Sequence, residues 1–310
     1  MKKFFKICTY FVLLVVLLIG IYCVLTWPEI PSRVYANLGL AFYHQGKYEE
    51  AIDNYTNAIK LMPKRAILYT WRAGSKVEIN DYKGAEEDIK HAIELQPEGA
   101  GHYFAFALLK NDLEQYQEAL SNINKAVELG NPEARVYNMQ GIIKRNLEDY
   151  EGAIVSFTKA LELEPNSDTA YYQRGWCKHS VRDLEGALKD FEKAVKLDPK
   201  NDDAYFGISS VHMINKNYEE GIKALTQAIN VNPNGPDRPK YYFFRGFTKA
   251  KIMDYQGALD DYNKSIELTP KNLHTPLAQT YQARAEIKIL LGDVQGAISD
   301  EQQAQKLANN

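Results

Sequence analysis

The stretch that decides the fold runs from Asp168 to Lys200 and reads DTAYYQRGWCKHSVRDLEGALKDFEKAVKLDPK. Apolar side chains recur at helical spacing in its second half, which predicts a helix over residues 184–197 that begins after Asp183 and ends before Pro199. The first half also has the composition of a helix. Two short amphipathic helices cannot close a core alone, so each pair must bury its apolar face against another pair. The pattern predicts an all-α stack of helix pairs.

The same unit recurs along the chain. Its first five steps are each 34 residues long, and the last two are lengthened by Pro-containing stretches at residues 234–239 and 271–277. Alanine recurs at the twentieth and twenty-seventh positions of the unit, where closely packed helices need small side chains. A helix-turn-helix period of 34 residues with this pattern resembles the tetratricopeptide repeat, and the resemblance covers residues 32–310. The repeats start near residues 32, 66, 100, 134, 168, 202, 239 and 278.

This resemblance implies a right-handed superhelical solenoid of antiparallel helix pairs. It also implies that the first helix of each pair lines a concave groove that binds a protein or peptide ligand. The aromatic members of the lining are concentrated between the fifth and seventh repeats and predict an apolar patch for a partner, although any single ring could instead pack between repeats. The expected groove residues are Trp71, Phe104, Arg135, Asn138, Arg145, Tyr172, Trp176, His179, Phe206, Met213, Phe243 and Phe247.

Two positions of the repeat vary together. Arg stands at the seventh position only in the four repeats that have Asp at the twenty-third. Because a half-buried Arg without a partner would be costly, we expect each Arg to pair with the Asp of its own repeat. These structural ion pairs are Arg72 with Asp88, Arg174 with Asp190, Arg245 with Asp261, and Arg284 with Asp300.

The N-terminal part differs from the repeats. Residues 7–27 carry no charge and are long enough to span a bilayer, which predicts a transmembrane signal anchor between a short N-terminus, residues 1–6, and a linker, residues 28–31. The lysines within residues 1–6 favour a cytoplasmic N-terminus, so the repeats would be extracytoplasmic, and periplasmic if the protein is bacterial. Two alternatives stay open: a soluble or secreted adaptor released by signal cleavage, and a cytosol-facing targeting or import receptor.

Composition and motifs argue against other functions. The net charge is -3 and no basic run occurs, which is unfavourable for nucleic-acid binding. Neither a phosphate loop, a metalloprotease motif nor a nucleophile elbow is present, so we expect no enzyme activity, no cofactor and no metal. The sequence therefore predicts a single-pass membrane protein that acts as a protein–protein interaction scaffold. It leaves open the identity of the partner and the oligomeric state.

Overall fold

The computed structural model describes residues 29–130 and 132–309, and these residues form helices joined by short turns without any strand. The prediction of an all-α fold built from helix pairs is confirmed for this part of the chain. The sixteen helices are α1 (Glu29–His44), α2 (Tyr48–Leu61), α3 (Ala66–Glu78), α4 (Tyr82–Leu95), α5 (Ala100–Asp112), α6 (Tyr116–Leu129), α7 (Ala134–Asn146), α8 (Tyr150–Leu163), α9 (Asp168–Ser180), α10 (Leu184–Leu197), α11 (Asp202–Ile214), α12 (Tyr218–Val231), α13 (Arg238–Lys251), α14 (Tyr255–Leu268), α15 (His274–Leu290) and α16 (Val294–Ala308).

The expected anchor at residues 7–27 lies outside the described residues, as do residues 1–6. None of the described helices combines the length and hydrophobicity that a bilayer span requires. Residues 29–31, which we expected to belong to a linker, instead form the first turn of α1. Pro31 is compatible with this turn because the first amides of a helix have no intrahelical partner to lose.

The chain divides into two compact units, one ending at Ile143 and the other starting at Lys144. Within each unit, consecutive helices along the chain pack against one another. Apart from the fourth repeat, the first helix of each internal repeat contacts its own second helix and the second helix of the preceding repeat. Such a stack buries apolar surface mainly at the contacts between neighbouring hairpins.

The start of most second helices is set by an Asp and a Gly three residues later. In five repeats the Asp carboxylate accepts a hydrogen bond from the Gly amide at 2.9–3.0 Å. A Cβ on that Gly would lie only 2.0–2.2 Å from the carboxylate, so a larger residue would displace the cap. The sixth repeat has Glu220 in place of the Gly, and its Asn217 makes no side-chain cap. The five pairs are Asp81 and Gly84, Asp149 and Gly152, Asp183 and Gly186, Asp254 and Gly257, and Asp293 and Gly296.

The turn between the two helices of each repeat contains a residue with a left-handed backbone. The first and last such turns have Gly, at Gly46 and Gly292, with φ of 72° and 85°. Six turns in between use other residues at φ between 58° and 66°, a conformation that costs an L-residue about 1–2 kcal/mol. These residues are Asn80, Glu114, Glu148, Arg182, Lys216 and Met253.

Met253 offers a direct test of this cost, because its side chain is 73% exposed and contributes little packing. We predict that Met253→Gly raises the free energy of unfolding by about 0.5–1 kcal/mol, since relief of the left-handed strain outweighs the greater flexibility of Gly in the unfolded chain. Urea unfolding followed by circular dichroism measures the change. Gly292→Ala is the matched control and should lower stability; an unchanged or lower stability of Met253→Gly would contradict the assignment.

Candidate functional site

The four expected Arg–Asp pairs are present in the structure as bidentate contacts. In each pair the Arg Nε and Nη2 donate to the two carboxylate oxygens of the Asp at 2.6–2.9 Å. The four Asp residues are only 3–5% exposed, so each carboxylate depends on its partners for solvation. Burial raises the pKa of Asp300, but hydrogen bonds from Arg284 and Lys288 outweigh this and hold that pKa below its ordinary value.

Each ion pair has two further members that the sequence analysis missed. A Lys four residues after the Arg places its Nζ 2.9 Å from the same carboxylate. The Arg Nη1 also donates, at 2.7–3.2 Å, to a hydroxyl or amide oxygen on the second helix of the preceding repeat. The Lys residues are Lys76, Lys178, Lys249 and Lys288, and the acceptors are Thr56, Thr158, Thr226 and Asn263.

The acceptor position contains a signal that could have been found in the sequence. It is Thr or Asn before every repeat that carries the Arg. It is Lys90 before the repeat that has Phe106 at the Arg position, and Glu192 before the repeat that has Ile208. The repeat that has Gln140 there is also preceded by Asn, and Gln140 donates to Asn124 at 2.8 Å. The clusters therefore join neighbouring repeats as well as the two helices of one hairpin, and their role is structural.

Ten of the twelve expected groove residues are half-buried, and Arg135 and Phe247 are exposed. In the first unit, Trp71 packs beside Tyr55 with ring centroids 6.0 Å apart. The Arg135 guanidinium covers the Phe104 ring at 5.3 Å and forms an ion pair with Glu133 at 2.8 Å. The Oδ1 atom of the remaining first-unit member, Asn138, is buried without a hydrogen-bond partner. Trp71, Phe104 and Arg135 therefore make contacts within the first unit.

In the second unit, the aromatic members form a chain of contacts. Trp176 lies 5.3 Å from the buried Phe191 ring and 6.0 Å from Phe206, and Phe206 lies 5.1 Å from Phe244. Phe244 in turn contacts Phe243 at 5.3 Å. These contacts cover part of each ring and leave the rings half-buried, whereas Phe247 is 37% exposed.

The other second-unit members of the predicted set make mainly local contacts. Tyr172 packs edge-on against Trp176 at 6.5 Å, and the Arg145 guanidinium donates to the amide oxygen of Gln173. His179 shares a hydrogen bond of 3.0 Å with the Ser210 hydroxyl, and burial lowers its pKa. Met213 is half-buried. We therefore assign these four residues to packing within the unit.

Two adjoining cavities lie between α13 and α15, next to Phe247. The larger has a volume of about 690 Å³ and is walled by Phe243, Phe244, Leu273 and the two Pro-containing stretches that lengthen the last junctions. The smaller, of about 370 Å³, is lined by Phe243, Phe247 and the eighth-repeat residues Gln282, Glu286 and Leu290. Phe243 and Gln279 border both cavities. We name this region the α13–α15 groove.

Several polar groups around the larger cavity are satisfied within the chain, but the Nε atom of Arg238, which also lines it, is buried without a hydrogen-bond partner. Ser265 donates to the Pro239 carbonyl at 2.9 Å, and Thr280 donates to the Pro276 carbonyl at 2.8 Å. Lys240 lies 3.4 Å from an Asp203 oxygen and 3.1 Å from an Asp237 oxygen, so its charge is balanced at the rim. The groove therefore offers mainly apolar walls, with the Arg238 guanidinium and the exposed amide of Gln279 beside them.

The described residues contain no set of His, Cys, Asp and Glu side chains that could hold a metal ion. Cys177 is fully buried, and burial raises its pKa to about 11, so its thiol is protonated at neutral pH and inaccessible as a nucleophile. The chemistry that the α13–α15 groove supports is the binding of apolar side chains.

A double-mutant cycle tests the buried ion pairs. Arg174→Leu and Asp190→Leu should each destabilise the chain, because the first leaves Asp190 only Lys178 and the second leaves Arg174 and Lys178 without their carboxylate. The double variant should recover about 1–3 kcal/mol of the summed loss. Urea unfolding of the four proteins measures this coupling. Lys189 and Glu185 form a matched exposed pair at 2.6 Å, with side chains 70% and 82% exposed, and should show no measurable coupling. Strictly additive effects at Arg174 and Asp190 would contradict the structural role.

Comparison with known proteins agrees with this geometry. One family model described as a tetratricopeptide repeat matches residues 32–65 and 169–201, and a second model with the same description matches residues 134–167 and 202–234. The curated Tetratricopeptide repeat protein 36 homolog of Nematostella vectensis is 38% identical over 72 residues, or 23% of this chain. The matched part spans 37% of that relative's length.

Solved structures show the same architecture. The crystal structure of YrrB, a tetratricopeptide repeat protein with an unusual peptide-binding site, is 27% identical, with a TM-score of 0.53 over 58% of this chain and 93% of that one. A tetratricopeptide repeat protein from Parabacteroides merdae, 20% identical, superposes with a TM-score of 0.61 over 78% of this chain and 93% of that one and supports the fold alone. The chain is thus built from tetratricopeptide repeats, and its sixteen described helices correspond to about eight of them.

Proposed function

We propose that this protein is a membrane-anchored scaffold that binds a segment of a partner protein in the α13–α15 groove. The observation that carries the proposal is the pair of adjoining cavities, of about 690 and 370 Å³, whose walls are mainly apolar and whose shared border is Phe243. Ligand sites are typically concave and apolar with a few convergent polar groups. A cavity of this size accommodates several large side chains of a peptide.

The groove also has the polar groups that hold a peptide main chain. Gln279 and Gln282 project from α15, and both side chains are exposed. An amide side chain both donates and accepts, so it can pair with the N–H and C=O groups of an extended segment. The similarity to YrrB, whose description includes a peptide-binding site, supports a peptide as the ligand of this chain.

An enzymatic role is the weaker candidate. The repeats account for the chain from residue 32 onward, which leaves little of it for a separate catalytic domain. Cys177, the one cysteine among the residues that the structure describes, is fully buried. A scaffold function requires only the groove.

For the location, we propose that residues 7–27 anchor the chain in a membrane and that the repeats are extracytoplasmic. The support is the uncharged length of this segment and the three lysines that precede it, Lys2, Lys3 and Lys6. A soluble adaptor produced by signal cleavage and a cytosol-facing receptor are the rival arrangements.

Fractionation separates these arrangements. The full-length chain should remain in the membrane pellet after an alkaline wash that strips peripheral proteins, and protease added to intact cells or spheroplasts should degrade the repeats. Release by the wash would favour the soluble adaptor. Retention with complete protection from external protease would favour the cytosol-facing receptor.

Cavity filling tests peptide binding in the groove. Peptides selected from a random display library against the full-length chain in detergent should contain apolar residues, and Leu273→Trp should raise their Kd at least about tenfold, equivalent to about 1.4 kcal/mol. Leu273 is 46% exposed at the cavity wall, so the larger side chain can enter the cavity without disturbing the core. Isothermal titration calorimetry measures the affinity.

Leu163→Trp is the matched control, because Leu163 is a similarly exposed leucine, at 56%, that does not line either cavity. It should leave the affinity unchanged. Failure to select any peptide, or an equal loss of affinity in both variants, would contradict the assignment of the groove.

A further inference from the structure

The first repeat leaves an apolar face of α1 uncovered. Ile30, Val34 and Leu38 are 61%, 53% and 43% exposed, and Ala41 is also exposed. At 100° per residue these four side chains form one stripe along α1, on the opposite side from the buried Ser32, Ala36 and Gly39. The helix is therefore apolar on two opposite faces, and only one of them is covered by the described residues. We name the uncovered set the α1 stripe.

The stripe occupies the positions through which other repeats stack. Val34 and Ala41 are the third and tenth residues of their repeat. In six of the seven later repeats the third position is buried, for example at Leu68 and Tyr241, both 0% exposed, where the side chain packs on the second helix of the preceding repeat. The tenth position is likewise 0–4% exposed from the second repeat to the eighth. The α1 stripe is thus a stacking face without a preceding hairpin in the described chain.

The last helix of the chain has a polar exposed face instead of an apolar one. The last helix, α16, exposes Glu301, Gln302 and Gln305 at positions where a following repeat would stack. This is the polar ending that a solenoid in water requires. The apolar α1 stripe has no such protection, so it cannot pair with the C-terminal end of a second copy without burying these polar groups.

The residues that precede α1 in the chain indicate what covers the α1 stripe. Residues 7–27 are uncharged, and only Pro28 separates them from Glu29, where α1 begins. If residues 7–27 span a bilayer, α1 must start at the level of the lipid headgroups. Arg33 is exposed beside the stripe and can extend its guanidinium toward lipid phosphates while its methylenes stay in apolar surroundings.

A second copy of the chain is the less favourable occupant. Four aliphatic side chains on one helix provide far less than the about 1,000 Å² that a specific protein interface normally buries. They also include no aromatic anchor of the kind that dominates such interfaces. A shallow interfacial helix needs only an apolar face that enters the boundary between headgroups and acyl chains by about 5–10 Å.

We propose that the α1 stripe lies in the headgroup region of the bilayer that holds residues 7–27, so that α1 is the membrane-contacting base of the first unit. This inference rests on the membrane anchoring proposed above. It goes beyond anchoring, because a tethered domain could equally stand free of the lipid surface. Contact through α1 restricts how the first unit is oriented relative to the membrane.

Site-directed spin labelling of the full-length chain tests the contact. Cys8, Cys23 and Cys177 are replaced by alanine, nitroxides are attached at Val34→Cys and Leu38→Cys, and the protein is reconstituted into vesicles of phosphatidylcholine and phosphatidylglycerol. Ile298→Cys is the matched control, since Ile298 and Leu38 are aliphatic residues with exposures of 42% and 43% in helices at opposite ends of the chain. Collision rates with oxygen and with a water-soluble nickel chelate report the surroundings of each label.

We expect the labels at residues 34 and 38 to collide with oxygen severalfold more often than with nickel, and the label at residue 298 to show the reverse. Strong nickel collisions at residues 34 and 38 would mean that the stripe faces water, and weak collisions with both reagents would mean that protein covers it. Dipolar broadening in the second case would identify another copy, and either result overturns the proposal. An alkaline wash of the same vesicles distinguishes failure of anchoring, in which the chain is released, from failure of this contact alone.

Discussion

No hairpin in this chain can bury its apolar face by itself, and the structure follows from that constraint. Within each unit, a first helix such as Asp202–Ile214 is covered on one side by its own second helix and on the other by the second helix of the repeat before it. Small side chains make the close approach possible, as at Ala187 and Ala194, which are both fully buried. The fold is stable only as a series, so its ends and its irregular junctions are the places where surface remains for other uses.

The Arg–Asp–Lys clusters make the contacts between neighbouring hairpins more selective. Arg174, for example, donates to the buried Asp190 of its own hairpin and to Thr158 of the preceding hairpin. The same side chain therefore links the two helices of one hairpin and also links that hairpin to its neighbour. Apolar contacts alone would allow a hairpin to pack against any neighbour with a similar apolar face. A bidentate guanidinium that also needs a hydroxyl or amide oxygen at one position is more selective, because the wrong neighbour would leave a donor unsatisfied.

The sequence was sufficient for the repeat period, for the helix pairs and for the Arg–Asp partnership, because each depends on residue types at constant spacing. The Lys members were missed, since Lys110 and Lys144 occupy the same position in repeats that lack the Asp. The aromatic patch stays a prediction, because the repeat pattern alone does not say how far Trp176 packs on Phe191 and how much of its ring is left for a ligand. The cavities were missed because they depend on the path of the inserted stretches, and Gln282 in the eighth repeat gave no signal without that path.

The groove lies between α13 and α15, and the helices in direct contact with these two are their neighbours in the last three repeats. Any free energy gained from an occupant would be transmitted through such short-range contacts and would fade over a few hairpins. Occupancy would therefore stiffen this segment of the second unit and leave more distant hairpins to fluctuate as before. Such a protein would fix the position of its ligand without transmitting a conformational change to distant repeats.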